Sequence, residues 1–89
     1  MLKAQQHVVW RKKKKLLVLL DTKSGCYFTL NNTGQDLWMK HIVEGLPLED
    51  VVREISSRFA NSPGEQQILS DCNKLISDWQ SNALITEKS

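Results

Sequence analysis

Cysteine is scarce: only Cys26 and Cys72 occur among 89 residues. Two are too few for a disulfide framework, and neither has a second ligand at the close spacing of a zinc site. Both sit in apolar patterns, so both read as buried, reduced thiols of a cytoplasmic protein. Histidine is equally sparse. His7 falls on an expected strand and His41 on a helical stripe, and neither has a serine, cysteine or paired carboxylate at triad or dyad spacing. The four glycines form no phosphate-cradling loop. The residues therefore offer no catalytic set, no metal site and no cofactor site. Long apolar runs are missing too. The longest block, Leu16–Leu20, is far short of the roughly 20 residues of a membrane span or the roughly 7–15 of a signal peptide. Charge of one sign is not in excess either: the net of +2 singles out no partner.

What remains is a single soluble domain over residues 1–89, with an apolar fraction of 40% and a charged fraction of 25%. A chain this short buries only about 60–65% of its unfolded surface, so its core is thin. Punctuation places the elements. Strands are expected near residues 7–11, 14–21 and 25–30. Asp21-Thr22-Lys23-Ser24-Gly25 is dense in turn formers between two β-prone runs, which is a hairpin signature. The stretch Gly25-Cys26-Tyr27-Phe28-Thr29-Leu30-Asn31-Asn32-Thr33-Gly34 then passes from strand into a helix start at Asn31 or Asn32. Asn32 with Gln35 reads as a capping-box variant. Leu37, Trp38, Ile42 and Val43 form the first helical stripe, closed by Gly45. Leu48, Val51, Val52, Ile55 and Phe59 form the second, after Pro47 in the first turn. Ser62-Pro63-Gly64-Glu65 signals a third start, followed by Ile68, Leu69, Cys72, Leu75, Ile76 and Trp79. Leu84-Ile85 tucks back as apolar cover and residues 86–89 are a tail. Three strands followed by three helices is an α+β order.

Two kinds of recognition fit that order. A three-helix unit beside a hairpin is a winged-helix layout, and Arg11–Lys15 is a basic cluster such as a DNA-binding wing carries. The third helix argues against DNA. Between Gly64 and Gln80 it carries Lys74 against Glu65, Asp71 and Asp78, a net of −2, where phosphate contacts demand cations. The lysine run is equally a solvated strand end or a lure for an acidic partner segment. The second kind is peptide capture. If no later segment pairs with Cys26–Leu30, its edge presents free N–H and C=O groups, and natural sheets block such an edge unless it is used. An extended peptide would pair there and send alternate side chains toward the third helix. A proline at Phe28 would remove a donor from that edge if the Phe28 N–H faces outward.

The residues Val8-Val9-Trp10-Arg11, then Leu19-Leu20-Asp21-Thr22-Lys23-Ser24-Gly25-Cys26-Tyr27-Phe28-Thr29-Leu30-Asn31-Asn32-Thr33-Gly34 and Leu37-Trp38, resemble the PqqD family. Asp71, Leu75, Ile76 and Trp79, closed by Leu84-Ile85, are similar to its final helix, and the likeness spans residues 7–85. The resemblance implies a winged helix-turn-helix in which a three-stranded antiparallel sheet is followed by three helices. It implies a bacterial, non-catalytic recognition element for ribosomally made, post-translationally modified peptides. Such a domain binds a precursor's leader peptide as an added strand beside the third strand and third helix. It then presents the precursor to a separate modifying enzyme such as a radical SAM maturase, leader peptidase or cyclase. Carried onto this chain, the strand side is Cys26, Tyr27, Phe28, Thr29 and Leu30. The helix side is Asp71, Lys74 and Leu75 on or beside motif positions, with Asp78 added by helical spacing. No nucleic acid or membrane is implied as a partner, and the assembly is a monomer or homodimer; a purely structural subunit and a DNA-binding winged helix are the other readings. Three features depart from the family pattern: Ala83 replaces a usual glycine, Pro47 replaces a usual Thr or Ser cap, and the lysine run is additional. The Asp21–Gly25 turn is closer to stand-alone members from lasso-peptide clusters than to members of the cofactor pathway.

Overall fold

The alternation of Leu16–Leu20 sets up the fold, because Leu17 and Leu19 are buried while their neighbours face the other way. The computed structural model describes residues 2–58 and 64–87. Its strands are β1 (Leu2–Ala4), β2 (Val8–Lys13), β3 (Leu16–Asp21) and β4 (Tyr27–Leu30). Then come α1 (Asn32–Asp36), a π-helical segment (Leu37–Val43), α2 (Leu48–Arg58), α3 (Glu65–Ser81) and β5 (Ile85–Glu87). β2, β3 and β4 form an antiparallel sheet in that order, in register Trp10↔Leu19↔Phe28. With the helices it makes the expected α+β winged helix-turn-helix.

Several local readings are corrected. The lysine run does not separate two strands. It carries β2 to Lys13 and turns through Lys14 and Lys15, with Lys14 in the left-handed region at φ 54°. β4 begins at Tyr27 because Gly25, at φ 79°, and Cys26 belong to the turn. Asp21 Oδ1 organises that turn by accepting from the backbone N–H of Lys23 at 2.9 Å and Ser24 at 3.3 Å. Burial pulls the Asp21 carboxyl up, but these donors and nearby His7 outweigh it and hold the pKa below its usual value. The cap of α1 is Asn31, whose Oδ1 accepts from Gly34 N–H at 2.9 Å. Gln35 closes no capping box. Its Nε2 donates to the carbonyls of Lys15 and Leu30, at 2.5 and 3.3 Å, and pins the helix start to the β2–β3 turn and the end of β4. Gly34 eases a close approach, since a Cβ there would lie 3.2 Å from the Leu30 Cβ and Leu30 would have to give way by a few tenths of an ångström.

Beyond Asp36 the helix widens into the π segment, which Gly45 closes at φ 81°. Val43 was expected in the buried stripe but lies exposed. Pro47 stands just before α2, its carbonyl accepting from Val51 N–H at 3.2 Å. α3 starts after Gly64; the Ser62-Pro63 start signal and Phe59 lie outside the described residues. Leu69 was assigned to the α3 stripe but is exposed.

Two strands had not been expected. β1 and β5 pair antiparallel, Lys3 opposite Thr86, so the two ends of the chain bond to each other. The turn feeding β5 is a Schellman cap. Leu84 N–H donates to Trp79 O at 2.8 Å and Ala83 N–H to Gln80 O at 3.1 Å, with Ala83 left-handed at φ 57°. Leu84 and Ile85 are then buried as cover. The core centres on Trp38, which meets Trp10 of β2 edge-on at 5.5 Å and Trp79 of α3 at 5.2 Å. Cys72 is buried beneath α3, and burial, with Asp71 adjacent, raises its thiol to about 11. Cys26, expected to be buried, is exposed because it lies in the turn.

A left-handed alanine stores strain that glycine would release. Ala83→Gly is expected to stabilise the protein by about 1 kcal/mol, raising Tm by roughly 4–8 °C in a thermal melt. In a thiol-labelling time course Cys26 should react at once under native conditions, and Cys72 only as the protein unfolds.

Candidate functional site

The sheet has two outer edges, and the sequence treats them differently. β2 carries Lys12 and Lys13 and turns through Lys14 and Lys15, the kind of charge that discourages strand pairing. β4 reads Tyr-Phe-Thr-Leu, without a charge or proline, and no described strand pairs with its outer side. The chain's ends are bonded to each other and leave that side open.

Register decides which backbone groups β4 presents. Asp21 N–H donates to Cys26 O at 2.9 Å, so the Cys26 carbonyl faces β3. In an extended strand the direction alternates residue by residue. The N–H and C=O of Phe28 and Leu30 therefore bond to β3 opposite Leu19 and Leu17, while those of Tyr27 and Thr29 point away from the sheet. The β2–β3 ladder agrees in parity, since Thr22 N–H donates to His7 O on the opposite side of β3. The free edge thus offers two donors and two acceptors, from Tyr27 and Thr29. Phe28, the proline position considered from sequence, faces inward.

Side chains alternate the other way. Phe28 and Leu30 turn to the core, half-buried and buried, and Tyr27 and Thr29 to the sheet's outer face. Where β4 passes into α1 it meets α3 at a depression of about 250 Å³, lined by Asn31, Thr33, Asp71, Lys74, Leu75 and Asp78. All four helix residues chosen from sequence are gathered here. None of the five strand residues chosen from sequence, Cys26, Tyr27, Phe28, Thr29 and Leu30, lines it. Asn31 and Thr33 were missed, because the Asn-Asn-Thr-Gly motif is fully accounted for as a helix cap. Gln67 Nε2 donates to Asp71 Oδ1 at 3.1 Å, fixing one wall, whereas Lys74 has no ion-pair partner among the described residues. Leu75 is half-buried and supplies the apolar floor. The result is a slot with one cation, two carboxylates and an apolar base, reaching Asn31 at the end of β4.

Neither histidine is part of it. His41 Nδ1 lies 2.8 Å from Leu46 O, and His7 Nε2 lies 3.7 Å from Asp21 Oδ1. No helix among the described residues is long and apolar enough to cross a membrane.

Comparison with known proteins gives the family and the fold. Residues 17–85 match the family described as coenzyme PQQ synthesis protein D (PqqD), and the chain belongs to that family. Its fold is shared by two solved structures in particular. One is described as TbiB1 in complex with the TbiA(beta) leader peptide, at TM-score 0.81 and 22% identity, covering 98% of each chain. The other is a lasso peptide synthetase B1 complexed with the leader peptide, at TM-score 0.83 and 21% identity, covering 97% of this chain and 98% of that one. A comparison with curated proteins finds no match.

The parity of β4 predicts opposite outcomes for two neighbouring prolines. Phe28→Pro removes a bond to β3 and should cost about 3 kcal/mol in urea denaturation. Thr29→Pro, whose N–H faces solvent, should cost less than about 1 kcal/mol.

Proposed function

We propose that this chain binds the leader segment of a ribosomally made precursor as an added strand along Tyr27–Leu30. It then delivers the precursor to a separate modifying enzyme and performs no catalysis itself. The observation that carries this reading is the uncharged, unpaired β4 edge lying beside the α3 depression. Two fold relatives whose descriptions name a bound leader peptide support it, as does membership of the PqqD family.

Magnitudes say what each part must contribute. Four main-chain bonds to Tyr27 and Thr29 net about 0.5–1.5 kcal/mol apiece. A micromolar complex needs about 8 kcal/mol. The edge alone falls short, so one or two leader side chains must anchor in the depression at about 1.5–3 kcal/mol each. The backbone edge supplies alignment that is indifferent to sequence, and the slot formed by Asn31, Thr33, Asp71, Lys74, Leu75 and Asp78 supplies selection. Of the nine residues assigned from sequence, Tyr27 and Thr29 act through their main chain and Phe28 and Leu30 hold the strand in place. Cys26 leads into it, and Asp71, Lys74, Leu75 and Asp78 meet the incoming side chains. The modifying enzyme is a maturase, leader peptidase or cyclase acting on the presented precursor.

Fluorescein-labelled leader segments from precursors encoded beside this chain's gene, and a labelled DNA duplex, provide the test at physiological salt. A leader should bind and the duplex should not. Thr29→Pro should weaken leader binding by about tenfold or more with an unchanged circular dichroism spectrum, since it loses a donor and adds a ring on the docking side. Lys74→Glu should shift affinity as well. Binding that ignores both substitutions, or a preference for the duplex, would reject the assignment.

A further inference from the structure

The outer face of the sheet is apolar where a solvated face should be polar. β3 reads Leu-Leu-Val-Leu-Leu, the pattern of a strand covered on both sides. The helices cover only the side carrying Leu17 and Leu19. On the other side Leu16 is 46% exposed, and Val18 and Leu20 are half-buried. The flanking strands extend the patch. Val9, 50% exposed, is paired with Leu20, and Leu20 with Tyr27, which is 70% exposed. Val9, Val18, Leu20 and Tyr27 line a shallow hollow of about 300 Å³ that Arg11 and Lys13 also border.

The charge around this hollow is of one sign. Arg11 and Lys12–Lys15 place five consecutive cations on one hairpin, and none of them has an ion-pair partner among the described residues. With a net charge of +2 for the whole chain, that hairpin leaves the remainder at −3. A second copy of the chain is a poor occupant, because face-to-face symmetry would bring two such hairpins together. A hollow of side-chain dimensions also suits a protruding apolar anchor better than a flat headgroup layer. Sheets bury an open apolar face under helices, and the cations select the charge of the helix.

We propose that the outer face of β2–β3–β4 is a second docking surface that receives an acidic amphipathic helix of a partner protein. Its leucine-like anchors sit over Val9, Val18, Leu20 and Tyr27, and its carboxylates meet Arg11 and Lys13. The surface is distinct from the β4 edge, and the proposal stands whether or not a leader peptide binds there. The two adjoin at Tyr27, whose main chain serves the edge and whose side chain serves the face. A strand added at β4 would therefore widen the surface that the helix covers.

The test is an amide and methyl NMR titration of the intact chain with a capped helical peptide bearing leucines on one face and glutamates on the other. A lysine-for-glutamate counterpart and phosphatidylglycerol vesicles serve as the other arms, and sedimentation of the chain alone reports self-association. The acidic peptide should shift Val9, Val18, Leu20 and Tyr27 signals. Arg11→Glu with Lys13→Glu should weaken it by about tenfold or more while the free spectrum stays folded, since both side chains are exposed. The proposal is overturned by equal binding of the lysine counterpart, by shifts confined to Asp71 and Lys74, by binding to vesicles alone, or by dimerisation through this face.

Discussion

Trp38 fixes the distance between the sheet and the last helix, and the remaining features follow from that spacing. Its indole is fully buried, with Trp10 of β2 edge-on to it on one side and Trp79 of α3 on the other. Such edge-to-face pairs add about 0.5–1.5 kcal/mol each beyond the area they bury, which matters in a core this small. Because α3 reaches the sheet through this tryptophan ladder, it comes alongside the β4–α1 junction without covering it. The depression lined by Asp71, Lys74, Leu75 and Asp78 is the space left over. Ile55 and Ile68 continue the same core, and the pairs Arg58–Asp36 and Glu54–Lys40 tie α2 to α1 and the π segment.

The chain's ends pair with each other and not with β4. A free strand edge is normally consumed or defended. Here β5 has the extended backbone to pair with β4, yet it pairs with β1 after the left-handed turn at Ala83. The lysines defend β2, and β4 stands undefended. Strain at Ala83 and the unusual charge of the hairpin are thus two sides of one arrangement, which keeps a single edge open and the other closed to aggregation.

Much of this was legible in the residues. Asp21 through Gly25 announced a hairpin turn by chemistry that acts within five residues, and the Asn31 cap and the stripes of α2 and α3 are likewise local. The three-residue strands β1 and β5 were invisible because neither has a hydrophobic pattern of its own length. Each exists only through a partner more than eighty positions away. Cys26 sat in an apolar pattern yet proved exposed, because its N–H donates to Ser24 Oγ and keeps it in the turn past Gly25. The direction of the Phe28 N–H depends on register, which the sequence of β4 alone does not carry. Asn31 and Thr33 escaped notice as site residues since helix capping already accounted for them. Asp71, Lys74, Leu75 and Asp78 come together in the depression, by contrast, as helical spacing alone anticipates.

The central claim is that a peptide pairs with the outward main chain of β4, and amide hydrogen exchange reads it residue by residue. In the free protein the Tyr27 and Thr29 amides should exchange rapidly while Phe28 and Leu30 are protected. Addition of a leader peptide should slow Tyr27 and Thr29 and leave the other two unchanged. Protection of Tyr27 and Thr29 before any peptide is added, or no change in them when a leader is bound, would contradict the account.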